Sequence, residues 1–179
     1  MRQPEIFLPT EFLHGLYDGG HGAGLRDYWQ MMMSNERCAG GYLWDMSDQG
    51  VVRTDLNNII DCMGNFAADG IVGPHFEKEG SYYTIRQIWS PVQVILKEQP
   101  SDTNGNQWKF DIQNHYNFNN LNTCTFAYRF LRFPEPGNSK TTVVSSGRWN
   151  GIQGEPGDVA QQTLAKKDGA DAVEIKVTD

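Results

Sequence analysis

The chain has 179 residues, with hydrophobic residues at 39% and charged residues at 21%, a globular balance with room for one ordinary domain or two small ones. Net charge is −7 and the 15 Lys and Arg are scattered, so no basic stripe is available to neutralise a phosphate backbone, and nucleic acid is not an expected partner. No run approaches the length of a membrane-spanning helix, so no membrane partner is expected. The three distant cysteines, Cys38, Cys62 and Cys124, suggest neither a zinc site nor a disulfide framework.

In chain order, "EIFLPTEF" (5 to 12) reads as a short buried strand bounded by Pro4 and by the glycines after Tyr17. Leu25, Tyr28, Trp29, Met32 and Met33 then recur at helical spacing and predict a helix over 25 to 35. "CAGGYLW" (38 to 44) is a second apolar run after glycines, so residues 5 to 44 read strand, helix, strand, the order of a parallel βαβ unit. Residues 45 to 81 read as a long loop, a length that usually carries function. Tyr82, Ile85, Ile88 and Trp89 predict a second helix that Pro91 stops. Beyond it, "VQVILKE", "WKFDIQNHY", "TCTFAYRFLRF", "TTVVSSGRW" and "DAVEIKVTD" are β-rich runs between turn residues, the pattern of a small antiparallel sandwich. A boundary near Ser90 separates the two regions.

The aromatic share of 12% suits either a packed β core or stacking on sugars. Glu11 falls at the carboxyl end of the first predicted strand, where parallel α/β enzymes place their chemistry, although a glutamate there also serves as a helix cap or a partner for Arg26. Trp44 and Asp45 end the next predicted strand, which would set an indole and a carboxylate on the same rim. Trp44 alone is equally a core residue, Asp45 and Asp48 are either rim ligands or surface charges, and His75, Glu77 and Glu79 read as solvated charges.

"PTEFLHGLYDGG", "DYWQMM", "GGYLWDMSDQGVVRTD" and "NFAADGIV", in this order and spacing, resemble the last part of the catalytic barrel of family 2 glycoside hydrolases, the β-galactosidase group. Residues 91 to 179, with "NHYNFNNLN" near their middle, resemble the immunoglobulin-like domain that follows. The resemblance implies an α/β plus all-β chain: residues 1 to 90 as the last βα units of a (β/α)8 (TIM) barrel, residues 91 to 179 as an immunoglobulin-like β-sandwich. It implies a retaining β-glycosidase acting on terminal β-galactosides or related β-glycosides, with Glu11 as the catalytic nucleophile. It further implies a sugar-site role for His14, otherwise a brace for its loop, and for Trp44 as the floor of the sugar pocket, with Asp45 and Phe66 as further substrate contacts. The family uses magnesium or sodium, and Asp69 stands where better-known members carry an asparagine near a monovalent ion. That departure leaves Asp69 a weak metal candidate, and no cofactor is assigned to this chain.

The family's acid/base glutamate follows an asparagine, and the only such pair here, Asn35-Glu36, lies at the end of the predicted helix. A closed barrel also takes about eight βα units and about 250 residues. The chain is therefore expected to be a fragment of a larger hydrolase, inactive alone, with any signal peptide upstream and bacterial cytoplasm or periplasm both open. A partner chain supplying the missing barrel, or a homo-oligomer, is compatible with this. Alternatively the sandwich is a structural or glycan-binding module, or the protein is one chain of a split enzyme. Trp108, Phe110, Tyr128 and Phe130 discriminate: an exposed row favours glycan binding, an inward set a structural role.

Overall fold

The computed structural model describes residues 5–14, 24–64 and 66–179. The chain divides into two compact units, residues 1–89 and 90–179. Residues 1–4 and 15–23, which include Pro4, Tyr17 and the glycines expected to bound the first strand, lie outside the described residues, as does Asn65.

In the first unit, helix α1 (Leu25–Met33) buries Leu25 and Met32. Its apolar stripe is narrower than the spacing suggests, because Met33 is exposed and Tyr28 lies partly in solvent beside the Phe12 ring, centroids 6.3 Å apart. Helix α2 (Gly80–Ile88) buries Ser81 and Ile85 and ends where Trp89 donates back to the Ile85 carbonyl, just before Pro91. The two helices meet through Trp29 and Trp89, ring centroids 5.3 Å apart. Between them runs a small antiparallel hairpin, β1 (Val51–Arg53) and β2 (Ile59–Asp61), tied by the Arg53 guanidinium to Asp55 at 2.6 Å and Asp61 at 2.8 Å. Residues 45 to 81 are thus not the continuous loop expected.

Among the described residues the expected barrel units are absent and the regular structure is mostly β: eight strands in three small antiparallel sheets, with two α-helices. Segments 5–12 and 38–44 pair through isolated parallel bridges, Phe7 with Cys38 and Phe12 with Leu43, rather than through a ladder. Pro9 lies between the bridges and has no N–H to donate, so only its carbonyl takes part, accepting from Tyr42 at 3.1 Å. Gly41 passes so close to the Pro9 and Phe12 rings that a Cβ would stand 2.9 Å from each. Parallel pairing survives as contact points, and the α/β barrel assignment for residues 1 to 90 does not hold.

The second unit is two three-stranded sheets over a shared core. One has the order β3 (Val92–Glu98), β4 (Gln107–Asn114), β7 (Val159–Ala165), and the other β6 (Thr142–Trp149), β5 (Thr125–Arg132), β8 (Ala172–Thr178). Inward strand positions supply most of the core, with Leu121 and Ile152 added from connecting segments: Val92, Ile112, Leu121, Phe126 and Ile152 at one end, Phe110, Phe130 and Leu164 at the other. Trp108 and Tyr128 pack against the second cluster. The four discriminating aromatics therefore point inward, and they do not form an exposed row. Tyr128 lies opposite Gly147 in the β5–β6 register, its ring so close that a Cβ on Gly147 would meet the phenol oxygen at 2.4 Å.

Asn114, 1% exposed, closes the end of this unit. Its Nδ2 donates to the carbonyls of Asn119 and Gly154, each at 2.8 Å, its Oδ1 accepts from the Tyr116 N–H at 2.9 Å, and its own N–H donates to the Asp158 carbonyl at 2.9 Å. A buried amide satisfied in this way fixes several loops at once, and an apolar replacement would strand their polar groups at about 1–3 kcal/mol each. Asn114→Leu is expected to destabilise the second unit by about 3 kcal/mol or more, and Gly147→Ala by about 1–3 kcal/mol because the tyrosine ring must move. Urea unfolding followed by tryptophan fluorescence measures both, and wild-type midpoints would refute the assignments.

Candidate functional site

The residues singled out around Glu11 converge in the first unit. Segments 45–49 and 67–72 are lashed by backbone hydrogen bonds: Asp45 N–H to the Asp69 carbonyl (3.0 Å), Ile71 N–H to the Asp45 carbonyl (3.0 Å), Val72 N–H to the Met46 carbonyl (3.2 Å) and Asp48 N–H to the Val72 carbonyl (2.9 Å). Gly70 makes this approach possible, since a Cβ there would stand 2.2 Å from the Asp48 nitrogen and 2.4 Å from the Val72 oxygen. The Gly70 N–H also donates to Asp48 Oδ1 at 2.8 Å. Asp48 is thus a brace for the loop.

From this frame the side chains reach the rim. Asp69 is 8% exposed and its Oδ2 stands 3.6 Å from His14 Nδ1. His14 Nε2 lies 2.9 Å from Glu11 Oε1. The Trp44 indole, 38% exposed, stands beside the imidazole, ring centroids 6.3 Å apart and planes 31° apart. Glu11, with its side chain 49% exposed, meets His14 rather than Arg26 among the described residues, and α1, whose N-cap is Gly24, has no side-chain cap bond. Leu13 has left-handed backbone, φ 51°, which turns the chain so that His14 folds back over Glu11.

Asp45 joins the cluster through its main chain, while its Oδ2 accepts from Gln49 Nε2 at 2.8 Å. Its Oδ1 is buried with no hydrogen-bond partner, a polar atom left for an ordered water or a ligand hydroxyl to satisfy. Gln49 escaped the sequence reading, and its only signal was its position four residues after Asp45. Phe66 is 67% exposed, and no recorded contact brings it to Glu11, His14 or Trp44. His75 and Glu77 share a turn in which Glu77 Oε2 accepts from the His75 N–H at 2.8 Å, and Glu79 follows at the N-cap of α2. Burial, and then the carboxylates of Asp48 and Glu77, hold the Glu79 carboxyl above its ordinary range.

Among the described residues no group of three or more His, Cys, Asp or Glu is arranged to hold a metal ion. Asp69, the weak metal candidate, faces the His14 ring. No described helix is long and apolar enough to cross a membrane. Chemically, the cluster offers one half-exposed carboxylate, one histidine bracketed by carboxylates and one apolar plate.

Two outcomes are expected from this geometry. Gly70→Ala should destabilise the first unit by about 1–3 kcal/mol, because its Cβ meets backbone on both sides; a thermal melt within error of wild type would contradict it. The raised Glu79 carboxyl contributes stability below the ordinary carboxylate range, and that contribution is lost as pH rises through its folded value. Glu79→Gln should therefore raise the melting temperature more at pH 7 than at pH 4, and an equal gain at both would count against the shift. No protein-family model matches this chain, and no curated protein matches it.

Proposed function

We propose that this chain carries the nucleophile side of a retaining β-glycosidase site acting on terminal β-galactosides or related β-glycosides. The observation that carries the proposal is the cluster itself: a half-exposed carboxylate held against a histidine, with an indole face alongside. Sugars present an apolar face and a rim of hydroxyls, and an exposed indole beside polar groups complements both. The resemblance of the flanking motifs points to the same chemistry.

In the proposed reaction a Glu11 carboxylate oxygen attacks the anomeric carbon as the bond to the leaving oxygen breaks, giving a glycosyl ester on Glu11. Water then attacks that carbon as the carboxylate departs, and the water's proton passes to solvent or to the base that the outside proton donor has become. The leaving oxygen of an ordinary glycoside needs a proton from a second carboxyl about 5 Å from the first. Asp69 is engaged with His14, and no other described carboxylate contacts Glu11 or its histidine. The chain by itself is accordingly proposed to be inactive on unactivated glycosides, requiring a proton donor from elsewhere.

A dinitrophenyl 2-deoxy-2-fluoro-β-galactoside separates the two steps, because its leaving group departs without a proton and the fluorine slows release of the ester. Incubation followed by peptide mass spectrometry should find the fluorosugar on Glu11 and none in Glu11→Gln. Absence of label on a folded wild-type chain, with dinitrophenyl fluoro-glucoside and fluoro-mannoside giving the same result, would defeat the proposal.

A further inference from the structure

We propose that Asp69 and His14 act as a positioning relay for Glu11: Asp69 sets the imidazole, and the imidazole sets the carboxylate. The functional consequence rests on the nucleophile role proposed for Glu11, whereas the coupling among the three residues stands on geometry alone.

Glu11 belongs to a segment without a strand ladder; the Phe12 N–H bonds the Tyr42 carbonyl at 3.1 Å, but nothing comparable restrains the glutamate side chain. Half of that side chain faces water, where several rotamers compete and holding one costs entropy. The contact that selects one is His14 Nε2 at 2.9 Å. An ionised carboxylate only accepts, so the proton of this bond sits on Nε2. A ring held at one nitrogen alone could still swing, but Asp69 Oδ2 faces the other nitrogen at 3.6 Å, an electrostatic contact longer than a hydrogen bond that orients the ring when that nitrogen also carries a proton.

Asp69 is well suited to that task. Its side chain is only 11% exposed, its carbonyl accepts from the Asp45 N–H, and the next residue is pinned by Asp48 Oδ1. Rigidity thus passes from the 45–49/67–72 backbone frame to a buried carboxylate, then to the ring, then to Glu11. A carboxylate at the far nitrogen is a general means of fixing the orientation of a working histidine. With a carboxylate at each ring nitrogen, His14 is placed to orient Glu11. The assignment also gives Asp69 a use that requires no metal.

The test uses the full chain with isotope-labelled histidine and glutamate, in wild type, Asp69→Asn, His14→Gln and the double variant. The nuclear magnetic resonance readouts are the ring nitrogen shifts of His14 and the side-chain carboxyl carbon shift of Glu11. Asp69→Asn is expected to move both, although Asp69 does not contact Glu11. In the double variant the Glu11 signal should move little beyond its position in His14→Gln, since the influence of Asp69 passes through the ring. Labelling of Glu11 by the fluorosugar should slow roughly tenfold in Asp69→Asn, the loss expected from one charge-assisted contact, with half-saturation little changed. A Glu11 carbon signal in Asp69→Asn identical to wild type would overturn the relay. Should wild type take no fluorosugar while the resonance pattern holds, the glycosidase proposal fails and the relay stands. If Asp69→Asn does not fold, Asp69→Glu replaces it: its longer stem displaces the carboxylate from Nδ1 and must shift the same two signals.

Discussion

The backbone hydrogen bonds that lash residues 45–49 to residues 67–72 are the constraint on which the first unit depends. Neither segment is part of a strand ladder, and among the described residues of this unit the buried apolar side chains are Leu25, Met32, Val72 and Ile85. With so small a core, position is maintained mainly by backbone polar groups that must find partners once they leave water. That frame brings Trp44, Asp45 and Asp69 together, and only then does Asp69 have a fixed place from which to face His14. Gly70 is its narrowest point, because atoms of both segments occupy the space any larger residue would need.

The second unit is stabilised by a different balance of forces. Several aromatic residues of its strands pack inside, while Phe118 and Phe133 are exposed: Phe110 and Trp149 pack edge to face at 5.7 Å, and Tyr128 contacts both Phe130 and Trp149 at 5.8 and 5.7 Å. Such pairs add to simple burial because ring edges and faces carry opposite partial charge.

The legibility of this fold in its sequence followed the strength of the local signals. Helix α1 was readable from the spacing of Leu25, Trp29 and Met32, and five of the six strands after Pro91 were readable from β-branched and aromatic residues between turns. Strand β7 was missed because "VAQQTLA" places Ala160 and Gln162 on its inner face, where only Leu164 is a large apolar residue. The parallel pair was overcalled for a physical reason, since apolar runs at 5–12 and 38–44 say nothing about the hydrogen bond that Pro9 cannot donate. Around the site, Glu11, His14 and Trp44 were readable as a set from their motifs. The facing of His14 toward Asp69, fifty-five positions later, was not, because no local periodicity encodes a contact made by two loops.

The Asn114 amide also has a bearing on the order of folding events. Its bond to the Gly154 carbonyl spans 40 positions, and its N–H reaches Asp158 in the same distant segment. Closing that node must wait until the chain has been drawn through β5 and β6 and returned, so its loop-closure entropy is met late. An interaction completed after the rate-limiting step barrier governs how slowly the native state opens rather than how fast it forms. The node is therefore read as a latch: its loss should steepen escape from the folded state, visible in the unfolding limb of a denaturant chevron, while the refolding limb stays close to that of the wild type.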